Sequence, residues 1–97
     1  MTVYALAQIS ITDRGAYTRY QSRFMDVFRK FNGRVLAAEE GPRVIEGAWE
    51  RDKVILPSFP DAEAFEAWAQ SPDYLDISKD RHAGSDGVVL LINGTSS

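Results

Sequence analysis

The chain has 97 residues, 44% hydrophobic and 26% charged, the make-up of an ordinary globular protein with material for one core. Eleven basic residues against fourteen acidic ones leave a net charge of -3, and the basic residues are scattered, so a nucleic-acid partner is not expected. No cysteine is present, which excludes disulfides, thiolate catalysis and zinc-thiolate sites.

Val3 to Ile11 alternates apolar and mixed positions and reads as a strand ended by Thr12-Asp13, with Asp13 as the N-cap of a helix. Tyr17, Tyr20, Phe24, Val27, Phe28 and Phe31 then recur at three- and four-residue spacing, marking one apolar helical face, and Asn32-Gly33 stops it. Arg34 to Ala38 and Arg43 to Trp49 both read as strand. The break at Glu40-Gly41-Pro42 between them is a hairpin turn or a kink within one long strand.

After Glu50-Arg51-Asp52, Lys53 to Phe59 is the next strand, in which Pro57 marks an edge or a bulge because it cannot donate to a ladder. Asp61 caps a second helix with Ala64, Phe65 and Trp68 on its buried stripe. Ser71-Pro72 restarts it, serine at the cap and proline at the first helical position. Tyr74, Ile77, Ser78 and Arg81 continue one face to Gly84, and Val88 to Ile92 is a closing strand. One domain over residues 1–97 is expected, with an ordered core near 2–93 and a polar tail at 94–97.

With the Glu40 kink counted inside one strand, the order is β, α, β, β, α, β, the split β-α-β, ferredoxin-like arrangement of the α+β class, with helices on one face of an antiparallel sheet. Val54-Ile55-Leu56 and Val88 to Ile92 are apolar on both faces, so the second face needs a cover, which an identical subunit would supply. A homodimer is therefore expected. The first residues lack a basic leader pattern and no apolar run reaches the roughly 20 residues of a membrane span, so the expected address is cytoplasmic, with no membrane partner.

Tyr17-x-x-Tyr20, Gly33-Arg34, Glu46-Gly47-x-Trp49, Phe59-Pro60-Asp61, Ala67-Trp68, Ser71-Pro72-x-Tyr74 and Arg81, taken in order, resemble the family catalogued as domain of unknown function 1330, of the dimeric α+β barrel superfamily. The resemblance runs from the first strand to the last and implies a ferredoxin-like homodimer, a dimeric α/β barrel, with no established activity. Relatives on that scaffold include cofactor-independent monooxygenases, lactone isomerases and ligand-binding regulatory domains. The chain departs from the family pattern at Ser58, where a glutamate is usual.

Glu46, placed inside an apolar strand, requires a cation or backbone donors. It reads either as a structural ion pair with Arg34 or Arg81 or as a general base in a cleft. In a simple hairpin register Glu46 opposes Pro57 and points away from Ser58, whereas a bulge at Pro57 would bring the two together. Arg81 suits bidentate binding of an acidic ligand as well. His82, the single histidine, reads as a solvated helix-end residue or a proton carrier, and with no helical His or Glu partner no metal is expected.

Tyr20, Trp49, Trp68 and Tyr74 read individually as core and collectively as the walls of a flat apolar cavity. No glycine-rich phosphate loop follows the first strand, and no cofactor is expected. Together these readings give a homodimer with a pocket for a small organic ligand and cofactor-free, isomerase- or monooxygenase-like chemistry in which Glu46 or His82 moves a proton. The alternative is a non-catalytic metabolite-binding or dimerisation module.

Overall fold

A computed structural model describes residues 1–95. Ser96 and Ser97 of the expected tail lie outside them. The elements run β1 (Val3–Ile11), α1 (Arg14–Phe28), a 3-10 turn (Arg29–Phe31), β2 (Arg34–Glu40), β3 (Lys53–Phe59), α2 (Ala62–Ala69), α3 (Pro72–Gly84) and β4 (Ser85–Asn93). The strands form one sheet in the order β2-β3-β1-β4, each neighbouring pair antiparallel. This is the ferredoxin-like α+β fold.

Local chemistry sets the element ends. The Asp13 carboxylate accepts from the Ala16 backbone N–H at the start of α1, and Asp61 does the same for Ala64 at the start of α2. At the end of α1 the left-handed residue is Asn32, with φ of 59°, and not Gly33. Gly33 is needed for another reason: a Cβ there would overlap the Phe28 ring. Gly84 likewise lets the end of α3 press against the start of α1, where its carbonyl accepts from the N–H groups of Thr12 and Asp13 at 2.9 and 3.1 Å.

All three helices lie on one face of the sheet. The core between them joins Val3, Ala5 and Ile9 of β1 and Phe59 of β3 to Tyr17, Tyr20 and Phe28 of α1, Trp68 of α2, and Tyr74 and Ile77 of α3. Two ion pairs, Arg19–Asp80 and Arg23–Asp76, tie α1 to α3, a third, Lys30–Asp73, ties the 3-10 turn to α3, and at their exposure each contributes little. The other sheet face carries no helix. Val88, Leu90 and Ile92 of β4 project from it and remain nearly half exposed, as does Leu36 of β2.

The expected strand at Arg43 to Trp49 is absent. β2 ends at Glu40, and Gly41 to Asp52 is an irregular loop closing the β2–β3 hairpin. The break at Glu40-Gly41-Pro42 is therefore neither a kink in a long strand nor a turn between two strands. Two physical reasons account for this. β3 already has β2 and β1 on its two sides, so the segment leading into it cannot pair with β3, and the outer edge of β2 stays uncovered. The loop's glycines also take positive φ, 65° at Gly41 and 86° at Gly47, which interrupts an extended run.

Pro57 sits in an internal strand. The irregularity it demands appears opposite it, as a register shift between Val35 and Ala37 of β2, while β3 keeps one register against β1 throughout.

Candidate functional site

A cavity of about 310 Å³ opens between the helix layer and the sheet. Its floor is formed by Ala5, Ala7 and Ile9 of β1 with Ile55 and Pro57 of β3, the inward positions of each strand. Its walls are Tyr20 and Phe24 of α1, Phe65 and Trp68 of α2, and Tyr74, Ser78, Arg81 and His82 of α3. Val89, on the helix side of the edge strand, completes the lining.

Ser71 builds the aromatic wall. Its hydroxyl donates to the Trp68 carbonyl at 2.8 Å and accepts from the Tyr74 N–H at 3.1 Å, so one side chain closes α2 and caps α3. The junction holds the Trp68 and Tyr74 rings 4.1 Å apart, centroid to centroid. Phe24, Phe28, Phe59 and Phe65 pack around the indole at 5.4 to 6.1 Å. Across the cavity the Tyr20 and Tyr74 hydroxyls lie 3.3 Å apart and share one hydrogen bond.

The polar groups are few. Trp68 Nε1 and Arg81 Nε are buried with no hydrogen-bond partner among the described residues. Arg81 Nη2 lies 2.9 Å from His82 Nε2. A guanidinium has no acceptor, so in this contact Arg81 donates to His82 Nε2. Ser78 Oγ donates to the Leu75 carbonyl. No aspartate or glutamate lines the cavity. Burial pushes the Tyr20 phenol well above its ordinary value, an effect strengthened by the Tyr74 hydroxyl, and burial pushes Tyr17 up to about 12.

Tyr20, Trp68, Tyr74, Arg81 and His82 thus surround one space, and Arg34, Glu46 and Trp49 lie away from it. Arg34 is exposed at the start of β2. Trp49 lies against the helix-free face, its indole N–H donating to Gln8 Oε1 at 3.0 Å. Glu46 is solvent-exposed in the loop, bordering a shallow depression with Gln8, Trp49 and Val54, and makes no hydrogen bond or ion pair among the described residues. The expected pairing with Arg34 or Arg81 is not formed, because a carboxylate in water requires no buried partner.

The hairpin register expected for Glu46 is likewise overturned. Glu46 lies on the sheet side that carries Ser58, since Ser58 pairs with Tyr4 and alternates away from Pro57, which lines the cavity. The side chain at position 58 consequently points away from the cavity.

Lys53 escaped notice in the sequence because a lysine at a strand start reads as solvated. It is 6% exposed, on the helix face beside Ile9, with its ammonium 4.9 Å from the Tyr17 ring centroid. Alternation with Ile55, Pro57 and Phe59 was the available signal. Lys53, Tyr17, Tyr20, Phe24 and Ile55 line a second hollow of about 300 Å³, which shares its tyrosine wall with the first.

The family described as "Domain of unknown function (DUF1330)" matches residues 2–95. The chain belongs to that family. No curated protein matches the sequence. Among solved structures, the DUF1330 chain is similar to the RPA0582 protein of unknown function from Rhodopseudomonas palustris, with a TM-score of 0.83 and 19% identity over 99% of this chain and 84% of that one. A dimeric ferredoxin-like protein of unknown function from Jannaschia sp. CCS1 follows at TM-score 0.71 and 20% identity, over 97% and 100% of the two chains. SnoaB, a cofactor-independent oxygenase from Streptomyces nogalater, matches at TM-score 0.72 and 14% identity, over 99% and 95%. At these identities the likeness is one of fold.

Proposed function

We propose that this DUF1330 protein is a homodimer of the dimeric α/β barrel type that takes one small, flat organic molecule into the cavity of each subunit. The observation that carries the reading is the cavity itself. It is walled by Tyr20, Trp68 and Tyr74 and holds a buried indole N–H that no protein group satisfies. The proposed compartment is the cytoplasm, where a chain without cysteine has no need of oxidising conditions.

The chemistry proposed is cofactor-free, of the isomerase or monooxygenase kind, on a ligand whose carbon acid is already activated. Support comes from the fold shared with an oxygenase described as cofactor-independent. His82 is the proton carrier in this reading, since Glu46 does not border the cavity. A second reading, metabolite binding without turnover, draws support from the lack of any lining carboxylate and from the His82 Nε2 lone pair being taken by Arg81.

The dimer is proposed to use the helix-free face, where Val88, Leu90 and Ile92 stay exposed in the single chain. A neighbour described as dimeric and ferredoxin-like supports it.

A thermal-shift screen of small aromatic acids, quinones and lactones tests the pocket. A ligand present at about a hundred times its Kd should stabilise the protein by about 2.7 kcal/mol. Trp68→Phe should weaken any hit, and a panel that shifts the wild type and Trp68→Phe alike would count against the cavity as its site.

A further inference from the structure

We infer that the cavity is built for an organic anion, its negative oxygen held by Arg81 and a second acceptor oxygen held by Trp68. The inference rests on the proposed pocket and specifies what enters it. The buried polar groups left without a partner there are donors. Trp68 is 7% exposed and its Nε1–H is orphaned, and Arg81 Nε is buried and equally unpartnered. The Tyr20 and Tyr74 hydroxyls use one hydrogen between them and leave the other free. Ser78 Oγ has spent its hydrogen on the Leu75 carbonyl, and the His82 Nε2 acceptor is occupied.

Charge points the same way. Arg81 is the one cation lining the cavity, no carboxylate lines it, and among the described residues none lies within ion-pair distance of its guanidinium. A permanent positive charge beside orphaned N–H groups at an apolar chamber favours a ligand that brings oxygen and negative charge. A neutral hydrocarbon would fill the volume and leave both donors unsatisfied.

Spacing shapes the ligand. Tyr74, Ser78 and Arg81 stand at i, i+4 and i+7 on one face of α3, so Arg81 lies about 10 Å along the axis from Tyr74 and the Trp68 ring packed against it. An anionic group at one end, an apolar planar body, and a carbonyl-type oxygen toward the other end fit that span. The cavity of about 310 Å³ accommodates a molecule of two rings.

The test uses the full-length protein and three probes measured by isothermal titration calorimetry: 4-benzoylbenzoate, its neutral isostere 4-benzoylbenzamide, and biphenyl-4-carboxylate, which lacks the ketone. The expected result is a preference of about tenfold to a hundredfold for the acid over the amide. Arg81→Gln should abolish that preference, with Arg81→Lys retaining part of it. Trp68→Phe should abolish the advantage of benzoylbenzoate over biphenylcarboxylate and keep the preference for acid over amide. Thermal melts of each variant establish that it folds.

Equal affinity for acid and amide, or a preference for the acid that survives Arg81→Gln, overturns the anion assignment and leaves the pocket standing. Failure of all three probes to bind at millimolar concentration overturns the pocket reading, and this inference with it.

Discussion

Replacing Lys53 with methionine should stabilise the folded protein. The lysine is almost wholly enclosed on the helix face, opposite Ile9 and above Tyr17, and has no carboxylate of its own. Its cross-strand neighbour Glu40 is engaged by Arg14 at 2.7 Å. Desolvation dominates, and it pulls the Lys53 ammonium below its ordinary value despite the partial help of Glu40. Burying an ammonium costs several kcal/mol, of which the tyrosine face returns about 1. Methionine matches the length of the stem and needs no hydration. With incomplete relief through the exposed tip, the net gain should be on the order of 1 kcal/mol near neutral pH.

The sign with pH follows from the direction of the shift. Because the folded-state value is lowered, the charged lysine penalises folding fully below that value. The penalty fades as pH rises from there toward the unfolded value of about 10.4, where the unfolded chain also loses its proton. Urea unfolding of wild type and Lys53→Met, at neutral pH and again near pH 10, should therefore show an advantage for the variant that narrows as pH rises. A variant less stable than wild type at neutral pH, or a gap that widens with alkalinity, would refute the reasoning.

Leu90→Asp places a charge on the helix-free face and should convert the proposed dimer, with its interface above about 1,000 Å², to a monomer in sedimentation velocity at micromolar concentration. A wild-type protein that already sediments as a monomer would remove the dimer. Tyr17, pushed up to about 12, and Tyr20, pushed well above its ordinary value, both chiefly by burial, contribute stability that is intact below the ordinary phenol value of about 10 and is lost as pH climbs through the folded values. Absorbance of tyrosinate should accordingly rise in two stages, the second coinciding with loss of the far-UV circular dichroism signal. Glu46→Gln should change stability by less than about 0.5 kcal/mol, because the side chain is exposed and unpaired, and a loss near 3 kcal/mol would mean that a buried partner exists.

The local code was legible in the sequence because capping, periodicity and alternation act over a few residues. Asp13, Asp61 and Ser71-Pro72 mark helix starts that the structure keeps, and the apolar stripe Tyr17, Tyr20, Phe24, Phe28 faces the sheet as its spacing requires. The order of motifs from Tyr17 to Arg81 pointed to the family, and the family match over residues 2–95 agrees.

Tertiary structure decided what depends on neighbours. Arg43 to Trp49 has strand-like composition, but β2 and β1 already occupy both sides of β3, and the positive φ at Gly41 and Gly47 keeps the segment from extending along the outer edge of β2. That one outcome moved Glu46 into solvent and Trp49 onto the helix-free face, and it separated both from Arg81. Lys53 shows the converse: its residue type predicts exposure, while its phase in the pleat, set by pairing with Ile9, buries it. The orphaned donors of Trp68 and Arg81 were invisible in sequence for the same reason, since satisfaction of a hydrogen bond is a property of the packed surroundings and not of the residue that carries the hydrogen.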